Sequence, residues 1–274
     1  MKDYRVFRFQ SLLITIKNRK TSLMKALFAS FLLILFMGGI QEGDHATMVK
    51  RMAPFDRAMI PLWGHLQEQN MPKAKRAVLN VAFQWQRMEN HLKNAYPERV
   101  EWAATFERVE HWLDDVYAAV DYNCAALALN QLGHVKYELA VLRSQYGIEY
   151  YFDDLYELEE QIAWVAEVAD DAMLCLFEWQ EFEALVDQLN QSWVEVNGKE
   201  INAAIYELDK KQMQRLRLQQ KRVDEKLDYF NQELACANRE EVAVAALAVE
   251  EAIRGVIQVF GAFEANRTYF ADKQ

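Results

Sequence analysis

From Ala46 onward, apolar residues return every third or fourth position almost without interruption. Val109, Trp112, Leu113, Val116, Tyr117 and Val120 form one such stripe, and Leu155, Leu158, Ile162, Val165 and Val168 form another. A third runs Val242, Ala245, Ala246, Val249, Ile253, Val256 and Ile257. This period places the apolar side chains on one face of an α-helix. The polar positions between them are filled by Ala, Glu, Gln, Lys and Arg, which are among the better helix formers.

Breaks in the pattern divide the body into about eight helices. Asn70-Met71-Pro72 ends the first and sets a proline at the start of the second. Asn94 to Glu98, with Pro97, ends the second. A break near Asn130 is expected between the third and fourth, and Gly147 stops the fourth. A further break is expected around Trp179 to Glu181, and Asn197-Gly198 is a good stop. A long helix to about Cys236 should follow, and Asn238 opens the last.

The sequence laid on itself at an offset of ~108 residues gives a weak repeat. Trp85 falls on Trp193, Asn130 on Asn238, and Gly147 on Gly255. The expected fold is therefore all-α: two tandem up-down four-helix bundles, 46–149 and 152–268, after an N-terminal segment 1–40. One irregular helical domain is the other reading. Only 9 glycines and 4 prolines in 274 residues argue against a sandwich, a barrel or a many-stranded α/β enzyme.

The N-terminal segment changes the picture of location. Lys25 precedes an apolar run from Ala26 to Met37, the layout of a secretory signal. Met24 would be a more ordinary start for it than Met1. The run is short for a membrane span of roughly 20 residues, so a cleaved signal is expected, with an uncleaved inner-membrane anchor as the alternative. Either places the body in the periplasm or otherwise outside the cytoplasm.

Charge then narrows the partners. Of 31 Lys and Arg and 41 Asp and Glu, seven basic residues and one acid lie in residues 1–40, leaving 24 basic against 40 acidic side chains in the body. A body this acidic repels phosphate backbones, which disfavours nucleic acid. An unknown protein or small molecule is the expected partner, with membrane contact through the N-terminal segment if it stays uncleaved. Within that acidic body, Lys210, Lys211, Arg215, Arg217, Lys221 and Arg222 form a basic stripe with no acid among them. The stretch from Asp153 to Asp171 is its converse, eight acids and no base. The two could be complementary helix surfaces or solvated faces. Alternatively, the stripe meets an acidic partner or anionic lipid.

The segment from Ala128 to Leu155 carries His134, Glu138-Leu139, Arg143 and Gly147 in that order. It resembles a group of exported bacterial helical-bundle proteins related in shape to cytochrome c′ and cytochrome b562. The resemblance implies a bundle fold, and many members of that group hold no haem.

No Cys-x-x-Cys-His is present, so thioether-linked haem is excluded. Haem b needs only facing helix-borne ligands, and Met59 or His65 with His134 would supply them. Copper is a related alternative, because all five histidines lie in the N-terminal half with several methionines. A di-iron site is opposed by the single Glu-x-x-His, Glu42 to His45, which the pattern leaves outside the bundle. His-Glu-x-x-His, Gly-x-Ser-x-Gly and Walker loops are absent. Cys124, Cys175 and Cys236 are read as buried thiols or as one disulfide with a thiol left over, and the seven tryptophans as core anchors. No motif nominates an enzyme. The reading is a non-enzymatic binding or scaffold module, with a haem or copper protein of cytochrome b562 type as the alternative.

Overall fold

The computed structural model describes residues 42–170, 179–236 and 239–262. The N-terminal signal or anchor expected in residues 1–40 lies outside them. Among the described residues every regular element is an α-helix, as the periodicity implies. They are α1 (Glu42–Gln67), α2 (Met71–Leu92), α3 (Val100–Asp121), α4 (Ala125–Gln145), α5 (Tyr151–Asp170), α6 (Trp179–Gly198), α7 (Lys210–Ala235) and α8 (Arg239–Val259). None of them is long and apolar enough to cross a membrane.

The helix ends follow local chemistry. Asn70 caps α2 by accepting from the Lys73 amide, with proline in the first turn. Asp209 and Gln212 cap α7 reciprocally: the Asp209 side chain accepts from the Gln212 amide at 2.6 Å, and the Gln212 side chain accepts from the Asp209 amide at 3.0 Å. Gly147 closes α4 with a left-handed φ of 64°. The break expected near Asn130 falls earlier. Asn123, with φ 58°, turns the chain between α3 and α4, and Asn130 lies inside α4. Asparagine tolerates that left-handed geometry better than most side chains. The long helix before Cys236 starts only at Lys210. Residues 199–209 are a connector whose Tyr206 and Leu208 are buried.

Neighbouring helices run antiparallel, as their side-chain ties show. Arg108 reaches Glu138 between α3 and α4, and Trp112 stacks on His134 further along the same pair. Trp193 donates to Asp224 while Asn190 bonds Asn231 between α6 and α7. Arg222 meets Glu251 and Tyr229 meets Glu241 between α7 and α8.

The first helix is unlike the others. It begins early enough to include Glu42 and His45, and Ala58 to Gly64 is buried without a break. A helix buried around its whole circumference sits inside a core rather than on its edge. Phe55 packs against Trp85 of α2 at 5.3 Å, Trp63 lies under Lys136 of α4, and Asp56 bonds Tyr156 of α5. Pro54 and Pro61 are both interior to α1. Pro61 has no N–H, so the Arg57 carbonyl four residues back lacks its helical partner. The Ala262 amide supplies one at 2.9 Å. The described residues from His45 onward form one compact unit that includes both halves of the repeat.

Trp63, Trp85, Trp102 and Trp193 are buried, as core anchors should be. Trp85 and Trp193, matched by the repeat, hold corresponding places in α2 and α6. Gly147 and Gly255 do not correspond: the first ends a helix and the second lies within one. Cys124 and Cys236 are free and exposed, which corrects the reading of buried thiols; Cys175 lies outside the described residues.

Candidate ligand-binding cleft

A cleft of about 830 Å³ opens between α1, α7 and α8. Its floor is α8, where Gly255 keeps the surface low: a Cβ there would come within 2.7 Å of the Gln219 side-chain oxygen. Gly64 of α1 also lines the cleft, but an added Cβ there would make only an ordinary contact, 3.9 Å from Gln258. The close seat of Gln219 on α8 thus depends on the missing Cβ of Gly255.

Five cationic side chains line the cleft against three carboxylates. Arg57 projects from α1, bonds the Phe260 carbonyl at 3.1 Å and pairs with Glu207. Arg222 pairs with Glu251 at 3.2 Å, and Arg254 with Glu250 at 2.7 Å. Lys211 and Arg215 are exposed and form no ion pair among the described residues. Four glutamines, Gln67, Gln212, Gln219 and Gln258, also line the walls; the side-chain oxygens of Gln67 and Gln219 are turned away from solvent and have no hydrogen bond among the described residues.

The basic stripe is divided by helix geometry. Lys211, Arg215 and Arg222 recur at a helical period and line the cleft. Lys210, Arg217 and Lys221 do not line it, and Lys221 pairs with Glu225 on its own helix at 3.5 Å. In the acidic stretch, Asp153 takes Arg143 and Asp154 takes Lys199 at 2.6 Å, both partners lying outside the stripe.

Beside the cleft, α1 is fixed by a buried polar cluster. Asp56 accepts from Tyr150 at 2.6 Å and from Tyr156 at 3.3 Å. Arg143 is fully buried, its guanidinium 4.3 Å from the Tyr150 ring centre and bonded through Nε to Asp153 at 2.7 Å. Burial pushes the Asp56 carboxyl up to about 6, against the opposing pull of Arg143 and the Tyr150 hydroxyl. The Arg143 guanidinium is held protonated by Asp153 and Asp56 in spite of its burial. This cluster orients the turn of α1 that carries Arg57.

The three residues considered as haem or copper ligands are placed apart by their surroundings. Met59 is buried in the core, and the His65 ring lies 3.7 Å from Glu68. His134 stacks on Trp112 of α3 at 4.2 Å, whereas Lys136, two residues on, is the α4 side chain directed to Trp63 of α1. Residues two apart on a helix point ~200° apart, so His134 is turned from α1 rather than toward Met59. Among the described residues, no group of three or more His, Cys, Asp or Glu could hold a metal ion.

Sequence reasoning missed Arg57, Arg254 and the part Gly255 plays in the cleft. Only the phase of the basic residues along α7 carried a signal for the cleft. No protein-family model, curated protein or solved structure matches the chain.

Proposed function

We propose that this protein is a non-enzymatic binding module, exported from the cytoplasm, that holds an anionic ligand in the cleft between α1, α7 and α8. The observation that carries this reading is a pair of cleft cations, Lys211 and Arg215, that form no ion pair among the described residues of an acidic chain of net charge −10. The other three, Arg57, Arg222 and Arg254, are paired with Glu207, Glu251 and Glu250. An excess of one sign in a walled cleft concentrates its counter-ion. In this proposal the two halves of the repeat are four-helix bundles that share α1 as a common core element. The helical scaffold holds the site and does no chemistry of its own.

The test is thermal unfolding of the full chain with added anions. A ligand bound only by the folded state stabilises by about 2.7 kcal/mol at one hundred times its Kd. Citrate or phosphate should raise the midpoint beyond a matched chloride control, and the double variant Lys211→Gln/Arg215→Gln should lose most of that rise. A rise that persists in the double variant, or none in the native chain, defeats the reading. Sequencing the mature N-terminus tests export separately.

A further inference from the structure

Building on the proposed anion site, we infer that the cleft takes a polyhydroxylated anion, a small acidic sugar or sugar phosphate. Charge alone would fit any anion, but the rest of the wall is more selective. Among the described residues no aromatic side chain lines the cleft, so they offer no platform for stacking a base or an aromatic ring. Its neutral polar groups are amides, among them Gln67, Gln219 and Gln258. An amide both donates and accepts, and so does a hydroxyl.

The wall is of both kinds: four lining glutamines, Gln67, Gln212, Gln219 and Gln258, bring amides that accept as well as donate, and the cations only donate. Inorganic phosphate or sulfate offers acceptors to the cations but little to the amide oxygens. A ring of hydroxyls offers both. The terminal torsion of glutamine is soft, so small rotations bring these amides to a ligand. The anionic group of the ligand then lies at Lys211 and Arg215, the two cleft cations without ion pairs among the described residues. The volume falls within the range of small-molecule sites.

Isothermal titration of the full chain with six probes tests this: galacturonate, glucose 6-phosphate, glucose, citrate, inorganic phosphate and a glutamate-rich decapeptide. Galacturonate or glucose 6-phosphate should bind at least about tenfold more tightly than glucose, citrate and inorganic phosphate. The stronger of the two says whether carboxylate or phosphate is the preferred head. Gln219→Met should weaken the sugar anion about tenfold and leave inorganic phosphate unchanged. Lys211→Gln/Arg215→Gln should weaken both. The thermal midpoint of each variant checks that it folds. If glucose binds equally well, or if citrate or inorganic phosphate matches the sugar anions, the inference falls. It also falls if only the peptide binds. Where citrate, phosphate or the peptide binds and the double variant abolishes it, the anion-site reading survives. If no probe binds, both fall.

Discussion

At the scale of single residues, the buried Asp56 has the clearest measurable consequence. Its carboxyl is raised to about 6 from an ordinary 3.8 because it lies in the core, with Tyr150 and Tyr156 as donors. Between those two values the folded protein holds a proton that the unfolded chain has already released. The contribution of this group to stability therefore declines as pH rises from about 4 to 6, and is constant above. A shift of two units corresponds to about 3 kcal/mol. Asp56→Asn cannot ionise, yet its amide can accept from Tyr150 and donate to Tyr156. The variant should match the native protein near pH 3.5 and exceed its stability by up to about 3 kcal/mol at pH 7. Urea titrations across that range measure the difference. A difference that does not change with pH would show that Asp56 does not titrate in this window. Neither Asp56 nor Arg143 could be picked out from spacing, because a charged residue on a helical stripe looks the same whether it meets water or a buried partner. Arg143 appeared only within the bundle-like segment, and its full burial follows from Asp153 and Tyr150, which lie beyond a turn.

At the scale of elements, helix identity was legible because each outer helix buries one stripe and exposes the rest. In α2 that stripe is Ala74, Ala77, Val81, Trp85, Met88 and Leu92, at a strict spacing of three and four. Boundaries were legible where a cap or a glycine fixes them, as at Asn70 and Gly147. The α3–α4 break was misplaced because the turn depends on the left-handed backbone of Asn123, and Asn123 and Asn130 are the same residue type. Half of the cleft was written in α7, where Lys211 and Arg215 share a face. The other half was not, because Gly255 acts by what it lacks and Arg57 reaches the cleft from a helix far away in sequence. Pro61 makes a testable link between α1 and the end of α8. Its missing N–H frees the Arg57 carbonyl for the Ala262 amide. In Pro61→Ala, a new helical N–H competes for that oxygen. A hydrogen bond of about 1 kcal/mol lost or shared should make the Ala262 amide exchange several-fold faster, while amides in mid-α3 are unaffected. Unchanged protection at Ala262 would mean that the proline does not govern this tie.

At the scale of the whole molecule, the question is whether the two halves of the repeat fold separately. Two independent bundles would each have their own core, and a cavity in one would leave the other intact. The packing of α1 argues otherwise. Phe55 meets Trp85, Asp56 meets Tyr150 and Tyr156, and Arg57 meets Phe260, so three consecutive residues reach α2, the start of α5 and the end of α8. Phe55 itself is fully buried. Replacing it by alanine removes a large apolar side chain and leaves a cavity, at a cost of about 3–5 kcal/mol. Because α1 is common to both sides, that loss should lower a single calorimetric transition as a whole, with the calorimetric and van't Hoff enthalpies agreeing. It should also loosen the cleft, since Arg57 follows two residues later on the same helix. Two resolved transitions, with only the lower-melting one moved by Phe55→Ala, would instead make the halves independent bundles, with α1 belonging to one of them.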